Sequence, residues 1–220
     1  MKKCILLLSG GLDSVTTLAF AKNEKYDITA ISFKYGQKHE IELDLAKYNA
    51  EKFNVNHKII DLTSAFLGFK SSLLGIGEVK KNSIETDEIP NTYVPARNII
   101  FLSIASGLAE SINAKEIFIG ANTVDYSGYP DCRPEFIESF QKMINIGTVF
   151  ANGDFKIQTP LISMKKSEII KLGIYLGVDY SKTISCYEPV EKNPCKKCDA
   201  CKIRSLGFKE AGIEDLSMQY

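Results

Sequence analysis

Short apolar runs alternate with stretches of helical spacing along the first 60 residues. The run at residues 4–8 has no polar interruption, which is typical of a strand buried on both faces of a sheet. The pattern predicts strands at residues 4–8, 28–33 and 55–60, and helices at residues 13–22 and 40–53. On the second helix, Ile41, Leu45, Tyr48 and Phe53 are expected to face the core. This β-α-β-α-β order predicts a parallel sheet covered by helices, and hence the α/β class.

The alternation breaks after residue 61 and resumes near residue 97. Residues 62–92 are rich in Gly, Ser, Lys and Glu without a clear period, so we expect a mobile connection over one edge of the site. Pro134 suits a first helical turn, and Asp131 is expected near the cap of that helix. Beyond residue 92, the pattern predicts helices at 97–110, 134–146 and 164–172, and strands at 116–120 and 155–158. We divide the chain into an α/β domain, residues 1–184, and a C-terminal appendage, residues 185–220.

Composition and charge exclude several classes of function. The chain has 220 residues with 27 Lys+Arg and 27 Asp+Glu, so its formal net charge of zero exerts no global pull toward nucleic acid or an anionic membrane. The N-terminal apolar run is too short for a secretory leader or a membrane span. We therefore expect a cytoplasmic protein with no direct nucleic-acid partner and no membrane partner.

The string Ser9-Gly10-Gly11-Leu12-Asp13-Ser14 stands between the first predicted strand and the first predicted helix. Two glycines let the backbone turn tightly and approach an anion, and a helix N-terminus offers unpaired N–H groups with a partial positive charge. The spacing differs from that of a Walker A loop and of a dinucleotide-binding Gly-x-Gly-x-x-Gly loop. The string therefore predicts a phosphate-binding loop of another kind.

Four of the six cysteines lie within the last 35 residues, at Cys186, Cys195, Cys198 and Cys201. Two-residue gaps let neighbouring thiolates converge on one tetrahedral ion, and clustering in an expected cytoplasmic chain favours a metal over disulfides. An iron–sulfur cluster, a redox pair or unpaired cysteines are the alternatives. We predict a closed, structural four-cysteine zinc site that fastens the tail to the domain.

The six-residue string resembles the SGGxDS motif of the N-type ATP pyrophosphatases, which share the Rossmann-like adenine nucleotide alpha hydrolase-like fold. The resemblance narrows to the 7-cyano-7-deazaguanine synthase (QueC) family on several further strings. These are residues 35–39, 92–98, 120–133, 160–162 and 166–169, together with the cysteine tail. The stretch at residues 128–133, Gly-Tyr-Pro-Asp-Cys-Arg, is the most discriminating. The resemblance implies ATP with Mg²⁺, cleavage between the α and β phosphates, and a substrate activated as an adenylate.

Candidate site residues follow from the resemblance and from side-chain chemistry. Lys166 is expected to place a cation on the triphosphate, and Arg97 to hold a phosphate or the substrate carboxylate; with Asp13 they are the predicted catalytic residues. A solvated surface position for Lys166 and Arg97, and a helix cap for Asp131, are the alternatives. Cys132 is either a nucleophile or a buried small residue. The nucleotide-binding residues are expected to be Leu8, Ser9, Gly10, Gly11, Leu12, Asp13 and Ser14. The substrate-binding residues are expected to be Arg97, Asp125, Tyr129, Asp131 and Arg133.

The activity that the resemblance implies is the conversion of 7-carboxy-7-deazaguanine, ammonia and ATP into 7-cyano-7-deazaguanine, a queuosine and archaeosine precursor. Relatives of this kind are usually homodimers, and ammonia is expected to be taken free. One alternative is another amidating ligase or a tRNA-thiolating enzyme of the same ATP-pyrophosphatase group. Another is a zinc-ribbon module that binds RNA or protein through Lys196, Lys197, Lys202 and Arg204.

Overall fold

A five-stranded parallel sheet forms the centre of the molecule. The computed structural model describes residues 1–37, 41–80, 88–124, 128–150 and 153–218. The sheet has the order β3-β2-β1-β4-β5, and each recorded strand pair is parallel. Its strands are β1 (Lys3–Leu7), β2 (Asp27–Lys34), β3 (Asn56–Asp61), β4 (Glu116–Phe118) and β5 (Lys156–Gln158). All five predicted strands are confirmed, with ends that differ by a few residues.

Helices cover both faces of the sheet because successive strand residues point to opposite sides. Along β1, Ile5 and Leu7 join the cluster beneath α3 and α4, whereas Cys4 and Leu6 join the cluster beneath α1, α2 and α5. The helices are α1 (Leu12–Asn23), α2 (Ile41–Lys52), α3 (Arg97–Ser111), α4 (Pro134–Gly147), α5 (Lys166–Tyr175) and α6 (Asp199–Ala211). Two buried faces explain why β1 reads as one apolar run. The predicted α/β class is confirmed.

The buried side of α2 differs from the prediction. Leu43, Ala46 and Ala50 face the core, whereas Tyr48 is 41% exposed. The small alanine side chains allow the helix to approach the sheet closely. A prediction that looks for large apolar side chains at helical spacing overlooks them. Ile41 and Leu45 are only partly buried, and they pack against the cysteine segment instead.

The described part of the segment 62–92 packs onto the domain. It contains short 3₁₀ turns at Thr63–Phe66 and Ser72–Leu74, and Phe66 is 3% exposed within the core beneath α3. Val79 packs against the cysteine segment. These contacts hold parts of the segment against the domain, the mobility of the connection stays a prediction, and residues 81–87 lie outside the described part of the chain.

The C-terminal appendage contains a helix, α6, that the sequence pattern does not predict. Its Arg204 is 2% exposed and forms an ion pair with Asp215 at 2.6 Å, and it donates to the carbonyl oxygens of Tyr180 and Thr183. Breaking such a buried pair from one side costs on the order of 3–5 kcal/mol. Arg204 therefore fastens α6 to the end of the α/β domain and is absent from any basic surface. The predicted boundary at 184–185 stays a prediction.

None of the helices in the described ranges has both the length and the apolar composition that crossing a bilayer demands.

Candidate functional site

The candidate site lies where the strand order changes direction. β1 is flanked by β2 on one side and by β4 on the other, so the connections from these strands diverge and leave a crevice at their carboxyl ends. A cavity of about 270 Å³ occupies this crevice. Its walls come from the loop after β1, the ends of β2 and β4, the first turns of α2 and α3, and the chain at residues 185–187. The topology alone thus brings the predicted phosphate loop to a ligand cavity.

The phosphate loop holds its shape through its own hydroxyl groups. The Ser9 hydroxyl donates to Ser14 Oγ at 3.0 Å, the Ser14 hydroxyl donates to the Gly11 carbonyl at 3.0 Å, and the Gly11 N–H donates to Ser9 Oγ at 3.3 Å. The backbone N–H groups of Leu12, Asp13 and Ser14 have no acceptor among the described residues, so they stay available at the start of α1. This arrangement is suited to binding an anion.

Gly10 shapes the loop without lining the cavity. Its φ is +81°, and a Cβ built on it would lie 2.3 Å from the carbonyl oxygen of Glu42 and 2.9 Å from the Ala46 nitrogen. A Cβ on Gly120, directly beyond β4, would lie 2.9 Å from the Asp13 carbonyl carbon. Two glycines therefore let α2 and the β4 loop press against the phosphate loop from opposite sides. The other predicted nucleotide-binding residues line the cavity, namely Leu8, Ser9, Gly11, Leu12, Asp13 and Ser14.

Asp13 and Lys166 form an ion pair beside the cavity. Lys166 Nζ lies 2.8 Å and 2.9 Å from the two carboxylate oxygens of Asp13. The side chain of Lys166 is 12% exposed, and that of Asp13 is 29% exposed. Lys166 begins α5, so this pair joins the first and fifth helices at the phosphate loop. The solvated alternative for Lys166 is therefore wrong. Its ammonium partly neutralises the one carboxylate that the phosphate loop carries.

Arg97 begins α3 and projects into the cavity from the side opposite α1. Its guanidinium lies 6.0 Å from the ring centroid of Tyr129, and its charge interacts with the Tyr35 hydroxyl. Burial alone would lower the pKa of Arg97, but Tyr35 and Tyr129, followed by Cys132 and Asp131, offset this and raise the pKa above its ordinary value. Arg97 is therefore a permanent cation within the cavity wall, which makes the solvated alternative wrong for this residue too.

Asp131 caps a helix other than the one predicted. Its carboxylate accepts the backbone N–H of Asn98 at 2.9 Å, in the first turn of α3, and it is 4% exposed. The residue before α3, Ala96, has a φ of +54° and no side chain that can cap, so Asp131 supplies the cap from a distant loop. The expectation of a cap on α4 is wrong. Asp131 does not line the cavity.

The remaining substrate predictions have mixed placements. Tyr129 donates to the Tyr187 hydroxyl at 3.2 Å and exchanges a hydrogen bond with Thr92 at 2.8 Å, so its ring is part of the wall behind Arg97. Arg133 is exposed at the start of α4, outside the cavity lining. Asp125 lies outside the described residues. Cys132 lines the cavity, but burial raises its thiol pKa to about 11, so it is not poised as a nucleophile.

Several cavity residues were missed as individual functional candidates. Tyr35 and Gln37 belong to the string that carries the family resemblance, and Gln37 bridges the Tyr35 N–H and the Phe33 carbonyl. Glu42 lines the cavity from the first turn of α2. It had no signal in the sequence, because a glutamate at a helix start reads as an ordinary solvated residue. Tyr187 lines the cavity because it directly follows Cys186 in the cysteine segment.

The four predicted metal ligands come together. The sulfur atoms of Cys186, Cys195, Cys198 and Cys201 all lie within 4.8 Å of one another, and those of Cys186 and Cys198 are 4.0 Å apart. Tetrahedral Zn–S bonds of about 2.3 Å place sulfur atoms about 3.8 Å apart, so the set fits such an ion. Hydrogen bonds from the thiols of Cys186 and Cys201 lower the pKa of Cys198. The residues therefore fit a thiolate-bound metal.

The cysteine segment also contacts the phosphate loop and the cavity. The Ile184 N–H donates to the carbonyl oxygen of Gly10 at 3.2 Å, two residues before the first cysteine of the cluster. The Tyr187 N–H donates to Cys198 Sγ at 3.4 Å, while its side chain lines the cavity and meets Tyr129. The appendage therefore supports the site as well as fastening the tail.

Comparison with known proteins places the chain in a family. The family model described as "Queuosine biosynthesis protein QueC" matches residues 3–212. The chain belongs to the QueC family. It is 50% identical over 218 residues to a 7-cyano-7-deazaguanine synthase from Citrifermentans bemidjiense, covering 97% of this chain and 96% of that protein. It is 49% identical over 218 residues to one from Saccharophagus degradans, with the same two coverages. The predicted family is confirmed.

Solved structures agree at the level of the fold. NMN synthetase from Francisella tularensis superposes with a TM-score of 0.54 at 19% identity, over 96% of this chain and 77% of that one. A predicted subunit of tRNA methyltransferase from Methanocaldococcus jannaschii gives a TM-score of 0.52 at 18% identity, over 99% and 91%. The likeness confirms the predicted Rossmann-like α/β fold of this QueC family member.

Replacing Gly10 by Ala is expected to weaken nucleotide binding, and Gly68→Ala is the matched control. Both glycines have a positive φ, so both variants carry the strain of about 1–2 kcal/mol that a Cβ meets in this region. Only Gly10 has backbone atoms in the way, since a Cβ on Gly68 meets nothing within 4 Å. We expect the Kd for ATP, measured by titration calorimetry, to rise about ten-fold or more for Gly10→Ala alone. Equal affinities for ATP in the two variants would contradict the role given to Gly10.

Proposed function

We propose that this QueC family member is an ATP-dependent ligase that converts 7-carboxy-7-deazaguanine and ammonia into 7-cyano-7-deazaguanine. The main support for this proposal is the sequence identity of 49–50% between this chain and proteins named 7-cyano-7-deazaguanine synthase, over nearly the whole length of both chains. The cavity supports it, because a phosphate loop and the half-buried guanidinium of Arg97 face the same space. The product would serve queuosine or archaeosine precursor synthesis.

The reaction must remove both carboxylate oxygens, and neither leaves without activation. In the route we propose, a carboxylate oxygen attacks the α-phosphate of ATP and expels pyrophosphate. Ammonia then attacks the acyl carbon, AMP leaves with the first oxygen, and a proton is lost to form the amide. The amide oxygen attacks a second ATP in the same way and expels pyrophosphate, and loss of AMP and of both N–H protons then forms the nitrile. Such chemistry depends on positioning and charge neutralisation.

The phosphate loop would bind the triphosphate through the free N–H groups at the start of α1 and the hydroxyls of Ser9 and Ser14. Asp13 and Lys166 are proposed as its charged partners. Their ion pair supports this role, because the ammonium holds the carboxylate in place at the mouth of the loop. Mg²⁺ bound with ATP would neutralise phosphate charge, and Asp13 is the oxygen ligand that the loop offers.

Arg97 is proposed to hold the carboxylate of the deazaguanine. A planar guanidinium binds a carboxylate through two parallel hydrogen bonds, and its burial in the wall fixes its direction. Tyr129 supports Arg97 from behind, and Asp131 supports it by capping α3. These contacts favour a positioning role for Tyr129 and Asp131 over the direct substrate contact predicted from the sequence. Direct contact by Asp125 and Arg133 stays a prediction.

The four cysteines are proposed to bind zinc in a closed site. Zinc would supply structure there, since four thiolates leave no position for water. We further propose that the protein is cytoplasmic and homodimeric. The side chains of Met143, Ile146 and Val149 are 51%, 83% and 76% exposed near the end of α4, which supports a covered surface in an assembly.

The rival functions lack comparable support. An RNA-binding module would use the basic residues of the tail, but Arg204 is buried in its pair with Asp215. A tRNA-thiolating enzyme is expected to carry a reactive cysteine pair, whereas the clustered cysteines here converge as a set of four that fits one metal ion. The relatives that are 49–50% identical to this chain are named 7-cyano-7-deazaguanine synthase, which is neither of these rival functions.

Purified protein is expected to contain about one zinc ion per chain, measured by elemental analysis. Cys198→Ser should lose most of this zinc and lower the melting temperature, because the ion holds α6 and the Tyr187 segment together. Cys4→Ser is the control, since this buried cysteine lies in β1 outside the cluster. Folded protein with iron, or with no metal, would contradict the zinc site.

The enzyme is expected to form 7-cyano-7-deazaguanine from the carboxylic acid, ATP and ammonia, as detected by mass spectrometry. Nitrile formation should require all three reactants. ATP consumption without a deazaguanine product, or product formation from a tRNA substrate and a sulfur donor, would contradict the proposal. Retention of RNA on the protein at 200 mM salt would favour the module instead.

A further inference from the structure

The cavity presents one acidic side chain that the chemistry described above does not use. Asp13 and Glu42 are the acidic residues that line it within the described part of the chain, and Asp13 is paired with Lys166. The Glu42 side chain has neither a hydrogen bond nor an ion pair with any residue in the described ranges. Its carboxylate is half-buried, so a ligand that supplies donors would bind it without displacing a partner from the described part of the chain.

The backbone fixes where Glu42 stands. Its carbonyl oxygen abuts Gly10, and this contact places the first turn of α2 against the phosphate loop. The side chain therefore enters the cavity beside the place where a phosphate would bind. Burial raises the pKa of the Glu42 carboxyl to about 7, and the charge of Arg97 acts in the opposite direction. The carboxyl group is thus half-buried, and it interacts electrostatically with Arg97.

Glu42 and Arg97 face the same space without joining. No ion pair within 4.0 Å connects them in the described structure, although their charges interact. A ligand that bridges them needs an anionic group for Arg97 and N–H donors for Glu42. The deazaguanine acid has both, since its carboxylate is on the five-membered ring and its amino group and ring N–H lie on the far edge of the six-membered ring.

We propose that Glu42 is a specificity-determining residue that accepts the exocyclic amino and ring N–H groups of the substrate while Arg97 holds its carboxylate. This inference rests on the proposed function and names the residue that selects a guanine-like edge. It replaces the role that the sequence suggested for Asp131, whose carboxylate is already occupied by the Asn98 N–H. A carboxylate with two oxygens can accept both donors at once.

The test compares the acid with its analogue that lacks the exocyclic amino group, 7-carboxy-7-deazahypoxanthine. Glu42→Gln is the test variant, and Glu138→Gln, on the exposed side of α4, is the control. Wild type and control should prefer the amino-bearing acid about ten- to a hundred-fold in kcat/KM, because the analogue leaves an acceptor unpaired. In Glu42→Gln this preference should fall to about a tenth of the wild-type ratio, with an unchanged Kd for ATP.

Binding of each acid, measured by calorimetry without ammonia, should show the same loss of preference. An unchanged preference in Glu42→Gln would overturn the inference, even if kcat falls, because the residue would then act on protons or structure. A matching rise in the Kd for ATP would also overturn it and assign Glu42 to the adenine amino group. If wild-type enzyme forms nitrile in these experiments, the proposed function stands whatever the variant does. If wild-type enzyme forms none, both fail.

Discussion

Close backbone packing around the phosphate loop is the constraint on which the rest of the site depends. Gly10 lies against the first turn of α2, Gly120 lies against Asp13, and the Ile184 N–H binds the Gly10 carbonyl. Three separate parts of the chain therefore meet one loop, and two of these contacts leave no space for a Cβ. Because these contacts set where α2 and the cysteine segment stand, they also set where Glu42 and Tyr187 enter the cavity.

The cavity has a division of charge that follows from this packing. The loop side carries free N–H groups and an Asp13–Lys166 pair, which suits a triphosphate. Arg97 and Glu42 also line the cavity, a cation and a carboxylate that have no ion pair with each other in the described structure. Asp131 and Tyr129 support Arg97 from outside the cavity, through the cap of α3 and through the ring below the guanidinium. A nucleotide and a second ligand that carries both an anionic group and N–H donors can thus bind side by side.

Local sequence was enough for the sheet, the phosphate loop and the cysteine cluster, because each is written in a continuous pattern of apolar residues, glycines or thiols. It was not enough where tertiary contacts decide. The helix α6 buries Arg204, a residue type that an apolar periodicity counts as exposed. Its ion pair with Asp215 and its bonds to the Tyr180 and Thr183 carbonyls explain this burial. The buried face of α2 uses Ala46 and Ala50 in place of larger residues. The Asp131 carboxylate caps α3 by accepting the N–H of Asn98, 33 residues earlier in the chain. Glu42 can be recognised as a site residue only from the cavity that it lines.

The central claim is that the phosphate loop directs attack of the substrate carboxylate to the α-phosphate of ATP. The most direct test follows the oxygens of that carboxylate into the nucleotide products. The enzyme would be given 7-carboxy-7-deazaguanine with both carboxylate oxygens labelled with oxygen-18, and the nucleotide products would be analysed by mass spectrometry. The account predicts that both labels leave in AMP, one in each of two molecules for every nitrile formed, with unlabelled pyrophosphate. Label in orthophosphate, with ADP as the nucleotide product, would contradict it.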